Sequence, residues 1–294
     1  MTRAALPNPV VIGTPKCGTT ALHYYLGLHP QTSMSRPKEL NFFQAEPDKS
    51  ALGPDEQDMV GRERSTWSRG VDWYASHFDP TAPVRGESSP SYVAPWYRGV
   101  AERLAAVLPE ARLVICVRDP VERAISHLHM RTAAGERREP ADALVDPASG
   151  YVALGRYWSL LQPFLARFPP ERLLVVDQHE LLHRRRETMR SVFSFAGIDD
   201  SFWSPLMERE PNRSGRMGLR RRGMFRLRRM RAMQPAFHLP DGAKWRLERL
   251  AGAGGGEQRP RLEPQRRAEL AALFADDVAR LRTLTGKRFA GWSV

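Results

Sequence analysis

The sequence of 294 residues predicts an α/β fold in three layers, a central parallel sheet with helices on both faces. Three observations predict it. Val10-Val11-Ile12, Leu113-Val114-Ile115-Cys116-Val117 and Leu173-Leu174-Val175-Val176 are unbroken apolar runs, as strands buried on both faces require. Each is followed by a polar turn and then by apolar residues at helical spacing. No Gly/Ser/Pro-rich linker divides the chain, so residues 1–294 read as one domain, long enough to bury roughly three quarters of its unfolded surface.

The first strand opens the most informative stretch. Val10-Val11-Ile12 runs into Gly13-Thr14-Pro15-Lys16-Cys17-Gly18-Thr19-Thr20, and an amphipathic helix spans 21–28. Strand, tight loop and helix start together make an anion site, because loop amides converge there and the helix dipole adds positive charge. The spacing makes the loop P-loop-like, with Gly13 and Gly18 in place of the two glycines of G-x-x-x-x-G-K-[ST]. Thr19 stands where that motif has lysine, and the lysine is Lys16, inside the loop. The pair that serves a nucleotide's Mg²⁺-bound β/γ-phosphates is therefore broken. What remains suits a single phosphate ester beside one lysine. A plain strand-to-helix turn is the ordinary alternative.

Pro15-Lys16-Cys17-Gly18-Thr19-Thr20-Ala21-Leu22 resembles the 5′-phosphosulfate-binding loop of sulfotransferases that use 3′-phosphoadenosine 5′-phosphosulfate (PAPS). The bacterial members and the sulfotransferase domains of heparan-sulfate enzymes are the nearest in pattern. With gaps, the resemblance runs from Val10 to Trp292. It implies a P-loop-like sheet, PAPS as co-substrate, 3′-phosphoadenosine 5′-phosphate (PAP) as product and no metal. Lys16, Cys17, Gly18, Thr19 and Thr20 would bind the donor, with Lys16 also neutralising charge on the leaving phosphate.

A short second strand is expected at Thr32 to Met34. Arg36-Pro37-Lys38-Glu39-Leu40-Asn41-Phe42-Phe43 reads by itself as a charged turn before an apolar half-helix. The resemblance implies more, since a Lys-Glu-x-x-Phe-Phe segment carries the family's proposed catalytic base, and Glu39 is the matching residue. Residues 44–70 are polar without periodicity and read as an insertion. A short helix is expected across Val71 to Phe78, with Trp73 and Tyr74 in core packing. Val84-Arg85-Gly86-Glu87-Ser88-Ser89-Pro90-Ser91-Tyr92 reads as a strand ending in a polar turn, and it is similar to the family's Glu-x-[Ser/Thr]-Pro-x-Tyr. Heparan-sulfate members often have lysine after the glutamate; Ser88 stands there, which counts against a heparan-like substrate.

After a helix over 96–108 comes the second strong signal, Arg112 to His127. Arg118 lies at the carboxyl edge of a buried strand, where α/β sheets bind ligands. Pro120 starts a helix and Asp119 is placed to cap it. The resemblance implies that Arg118 and Ser126, eight residues apart, grip the donor's 3′-phosphate. The family's usual Asn is Asp119 here, and Arg123 could offset its charge. Residues 134–150 read as loop, 155–168 as helix, 172–177 as strand and 179–196 as helix. His127, His129, His179 and His183 form no metal pattern and read as exposed or helix-face histidines.

Residues 210–260 read as a basic, partly flexible segment. The resemblance places Ser214, Gly215 and Arg216 in a loop covering the nucleotide, while 216–231 could be a basic amphipathic helix or a solvated face. Pro264 to Leu284 reads as one helix, and Trp292 packs the last residues down.

The formal net charge is +12, mostly from arginine, which fits anionic ligands: nucleotide phosphates, sulfated or carboxylated substrates, nucleic acid or a membrane surface. Two cysteines, Cys17 and Cys116, give neither a disulfide framework nor a zinc cluster. Residues 1–9 have no apolar leader core, and no stretch nears the roughly 20 apolar residues of a membrane span. A cytoplasmic location is the expectation. Sulfuryl transfer to a small-molecule or glycan acceptor is the expected function, with no nucleic-acid partner. A P-loop kinase or NTPase, and an Arg-rich nucleic-acid binder, are the alternatives.

Overall fold

The computed structural model describes residues 6–48, 50, 65–133, 140–208 and 261–294. Its centre is a five-stranded sheet in the order β2-β3-β1-β4-β5, every neighbouring pair parallel. The strands are β1 (Val10–Gly13), β2 (Thr32–Met34), β3 (Val84–Ser88), β4 (Leu113–Val117) and β5 (Leu173–Asp177). Every residue of β1 and β4 is buried. Successive side chains point to opposite faces, so both faces of the sheet's middle are covered. The expected parallel sheet and its helical layers are present.

From β1 the chain passes to edge strand β2 through α1 (Thr19–Leu26), whereas β4 leads to the opposite edge, β5. The connections diverge between β1 and β4, which opens a crevice at their carboxyl ends. Arg118 and the loop after Gly13 sit at that crevice. An irregular register between Val11 and Gly13 puts an extra residue on β1 just before the loop, and such a bulge re-aims the chain that leaves it.

Further helices are α2 (Gly70–Ala75), α3 (Val100–Val107), α4 (Pro120–Ala133), α5 (Pro140–Val145), α6 (Gly150–Ala153) and α7 (Tyr157–Leu165). Then come α8 (Gln178–His183), α9 (Arg185–Ala196), α10 (Pro264–Ala272) and α11 (Ala275–Thr285). Two expectations change here. The helix expected over 179–196 breaks at Arg184, whose φ of −128° and ψ of 43° are not helical, and the one over 264–284 breaks before Ala275. In each case the break lets both halves bury apolar residues, Leu181 with Met189 and Phe193, and Leu270 with Val278 and Leu281. The 134–150 stretch contributes α5 rather than loop alone. A second small core joins Val121, Ile125 and Leu128 of α4 to Leu270, Phe274 and Val278, so the late helices brace the helix that follows Arg118.

Ser214, Gly215, Arg216 and the basic 216–231 stretch lie outside the described residues. Among the described residues no helix is long and apolar enough to cross a membrane.

Candidate active site

The loop after β1 is fixed from beneath. Thr14 N–H donates to the Cys116 carbonyl at 2.9 Å, and Cys17 N–H closes the turn onto the Thr14 carbonyl at 3.2 Å. Lys16 adopts a left-handed φ of 73°. Gly18 caps α1 at φ 92°, a conformation that side chains other than glycine's resist. The amides of the first helical turn have no intrahelical acceptor, so the turn that begins Thr19-Thr20 presents donors at the crevice. A Cβ on Gly18 would lie 3.4 Å from Gln178 Cγ, which places the loop against the end of β5 as well. Burial pushes the Cys17 thiol up to about 11. It is a packing group, not a nucleophile.

On the β4 side, Arg118 follows the last strand residue and Ser126 lies buried two turns into α4. Asp119 caps α4 as expected, its Oδ1 accepting from Val121 N–H at 2.9 Å and Glu122 N–H at 3.2 Å. Tyr157 of α7 ties the loop after β1 to the end of β4. Its hydroxyl donates to the Arg118 carbonyl at 2.7 Å and lies 3.6 Å from Cys17 Sγ.

Below this junction sits a positive charge whose burial the sequence did not disclose. Arg123 is fully buried and bonds to the Tyr151 carbonyl, with His127 Nδ1 at 3.4 Å. It does not offset Asp119. His127 and His129 lie on α4, as helix-face histidines, and both are buried rather than exposed. Burial first, then the charges of Arg123, Arg131 and Lys16, hold the His127 imidazole well below its usual range and hence neutral. The signal that was present is a shared face: 123, 127 and 131 recur at four-residue spacing, one stripe of a helix.

The β3 side carries Glu39. Residues 40–43 form a turn, not the expected half-helix, and both Glu39 (φ 68°) and Asn41 (φ 54°) are left-handed. Strain of this kind needs surroundings that over-determine it, and those are present. Glu39 N–H donates to the Ser88 carbonyl at 3.0 Å, Asn41 N–H to Ser89 Oγ at 3.0 Å, and Phe42 N–H to Tyr92 Oη at 2.9 Å. The last two of these acceptors converge on Glu87, a fully buried carboxylate that accepts from Tyr92 (2.8 Å), Ser89 (2.6 Å) and also Tyr74 (2.7 Å). The Glu39 side chain itself is 49% exposed and paired with Lys38. Ser88 Oγ lies 3.0 Å from His23 Nδ1 of α1. Burial, then the positive charges of Lys38 and Arg36, push the His23 imidazole down to about 3.

Ser88 is the β3 partner of Val11, and Arg118 directly follows the strand that pairs β1 on its other side. Glu39 and the Arg118/Ser126 pair thus flank the same loop. Tyr74 packs in the core as expected and Trp73 is partly buried. Among the described residues, no three His, Cys, Asp or Glu side chains cluster as metal ligands would.

A sequence model of the sulfotransferase family matches residues 7–204. The chain belongs to the sulfotransferase family. It is 35% identical over 127 residues to a membrane-associated sulfotransferase of Dictyostelium discoideum, covering 42% of this chain and 23% of that one. With the human bifunctional heparan sulfate N-deacetylase/N-sulfotransferase 2 it shares 27% identity over 213 residues, 66% of this chain and 22% of the relative. The chain therefore spans about a quarter of the length of these curated relatives. In fold it is similar to the crystal structure of a sulfotransferase from Alicyclobacillus acidocaldarius, with a TM-score of 0.66 and 23% identity across 98% of this chain and 99% of the other.

Proposed function

We propose that this sulfotransferase moves the sulfuryl group of PAPS to a hydroxyl, or less readily an amine, of a small-molecule or carbohydrate acceptor, and that it needs no metal. The observation that carries the reading is the buried positive charge beside the loop. Arg123 has no carboxylate partner among the described residues, and its Nε, like the buried Thr14 Oγ1, has no hydrogen-bond partner among them. A buried charge is costly unless it is compensated. An anion with two separate phosphate groups fits, one on the loop and one at Arg118.

The donor supplies an activated sulfuryl group on its 5′-phosphate. Loop amides with Lys16, Cys17, Gly18, Thr19 and Thr20 hold that phosphate, and Lys16 balances the charge that grows on its oxygen. Arg118 and Ser126 take the 3′-phosphate, and Ser214, Gly215 and Arg216 cover the nucleotide. Glu39 accepts the acceptor's proton. Positioning and electrostatics supply most of the rate in such group transfers. The missing lysine at position 19 is what argues for metal independence. The whole chain, 1–294, acts as one domain in a cytoplasmic setting.

Calorimetry with PAP, AMP and ATP tests the reading. A charge-assisted contact contributes roughly 1.5–3 kcal/mol, so PAP should bind about ten- to a hundredfold more tightly than AMP. Equal affinities would overturn the assignment. An acceptor screen with labelled PAPS then identifies the second substrate.

A further inference from the structure

Residues 286–294 lie beyond the stretch that the family model matches, yet they bond directly to the carboxyl ends of two strands. Ser293 N–H donates to Asp119 Oδ2 at 2.6 Å. The indole N–H of Trp292 donates to Asp177 Oδ1, the last residue of β5, at 3.4 Å. Trp292 packs against the Tyr157 ring with centroids 5.8 Å apart, and it stacks on Phe289 at 4.3 Å. Phe289 is nine-tenths buried or more and left-handed, with φ 50°. A bulky residue in that region is an outlier, held here by its surroundings. Lys287 pairs with Glu180 at 2.7 Å, and Arg282 donates to the carbonyls of Arg288 and Val294 at 3.1 and 2.6 Å. The segment is fastened along its length.

Its contacts fall on both sides of one peptide unit. Asp119 spends one carboxylate oxygen on the amides that start α4 and the other on Ser293. Arg118, immediately before it, has its carbonyl bound by Tyr157, and Trp292 packs against that tyrosine. Glu122, which pairs with Arg118 at 3.5 Å, is itself paired with Arg267 of α10 at 2.7 Å. The part of the chain after residue 260 therefore reaches Arg118 by three routes: Ser293 through Asp119, Trp292 through Tyr157, and Arg267 through Glu122.

We infer that Trp292-Ser293 is a positioning element for the donor site, locking Arg118-Asp119 so that the arginine is pre-aimed at the nucleotide's 3′-phosphate. The inference rests on the PAPS reading above. A guanidinium aimed in advance spends less of its contact energy on ordering when the ligand arrives. Loss of the lock is thus expected to weaken the 3′-phosphate contact while leaving the 5′-phosphate contact, on the loop, in place.

The test is the ratio of AMP to PAP dissociation constants, measured by calorimetry on the full chain. Ser293→Pro removes the N–H that Asp119 accepts. It should lower the ratio by at least about tenfold, with AMP affinity within about twofold of wild type. The conservative variant Ser293→Ala keeps the amide and should keep the ratio. A merely structural role for the segment would lower thermal stability, or weaken both nucleotides together, without changing the ratio. Should Ser293→Pro fail to fold, Asp119→Asn makes the same separation, because its amide can still accept from α4 while turning an NH2 toward Ser293. A ratio unchanged in the variant that folds overturns the inference. If wild type itself binds PAP no better than AMP, the donor assignment fails and this inference falls with it.

Discussion

The two flanks of the loop after β1 are built from different materials. On the β4 flank the backbone is ordinary and the charge is unusual: Arg118 is mostly covered, Arg123 is wholly buried, and no acid compensates Arg123 among the described residues. The β3 flank reverses this. There the charge is ordinary, an exposed Glu39 beside Lys38, and the backbone is unusual, with left-handed Glu39 held by the Ser88 carbonyl and left-handed Asn41 held through Ser89 by buried Glu87. A flank that binds an anion can carry excess buried cation, since the ligand completes the charge balance. One that exchanges a proton must leave its carboxylate reachable. It can fix only the chain beneath it.

The largest expected effect follows from that contrast. Glu39→Gln should cut turnover by at least about a hundredfold with PAP affinity within about twofold of wild type, a split read by steady-state kinetics and calorimetry. A mutant with full turnover would move the base elsewhere. Arg118→Ala should do the reverse, weakening PAP by about ten- to a hundredfold and abolishing its advantage over AMP. If AMP weakens equally, the two flanks do not divide the work as described.

Glu87→Gln should fall between them. The amide can accept only some of the three hydroxyl bonds, at a cost of about 1–3 kcal/mol. A chain this size would lose several degrees of melting temperature. Turnover should fall while PAP affinity holds, because the turn carrying Glu39 loosens and the loop does not. An equal loss of both would show that Glu87 supports the fold at large.

A smaller effect appears with acid. His23 titrates at about 3 in the folded protein against 6.5 for the free side chain, and His127 is depressed in the same direction. Between those values the unfolded chain takes up protons that the folded chain refuses. Stability should therefore fall as pH drops below about 6.5. Replacing His23 with Gln should flatten that fall in melting curves taken from about pH 7.5 down to about 5; an unchanged slope would show that the imidazole is not held neutral. Smallest of all, activity should be indifferent to EDTA, and a requirement restored by Mg²⁺ would favour the kinase-like alternative.

By itself the sequence determined the sheet and the loop, because both are local. Apolar runs can be satisfied only as buried strands, and the likeness of Lys16-Cys17-Gly18-Thr19-Thr20 to a phosphate-binding loop rests on local spacing. It also placed Arg118, Ser126 and the Asp119 cap, each set by its distance from a strand end or a helix start. Tertiary structure decided what lies far apart in the chain. Tyr157 joins Cys17 to Arg118, Glu87 reaches the turn of Glu39 through Tyr92, and Ser293 bonds to Asp119 across 174 positions. It also decided that 40–43 is a strained turn and that His127 is buried. Helical spacing reports which residues share a face of their own element. What covers that face depends on segments packed from elsewhere, and no local pattern carries that information.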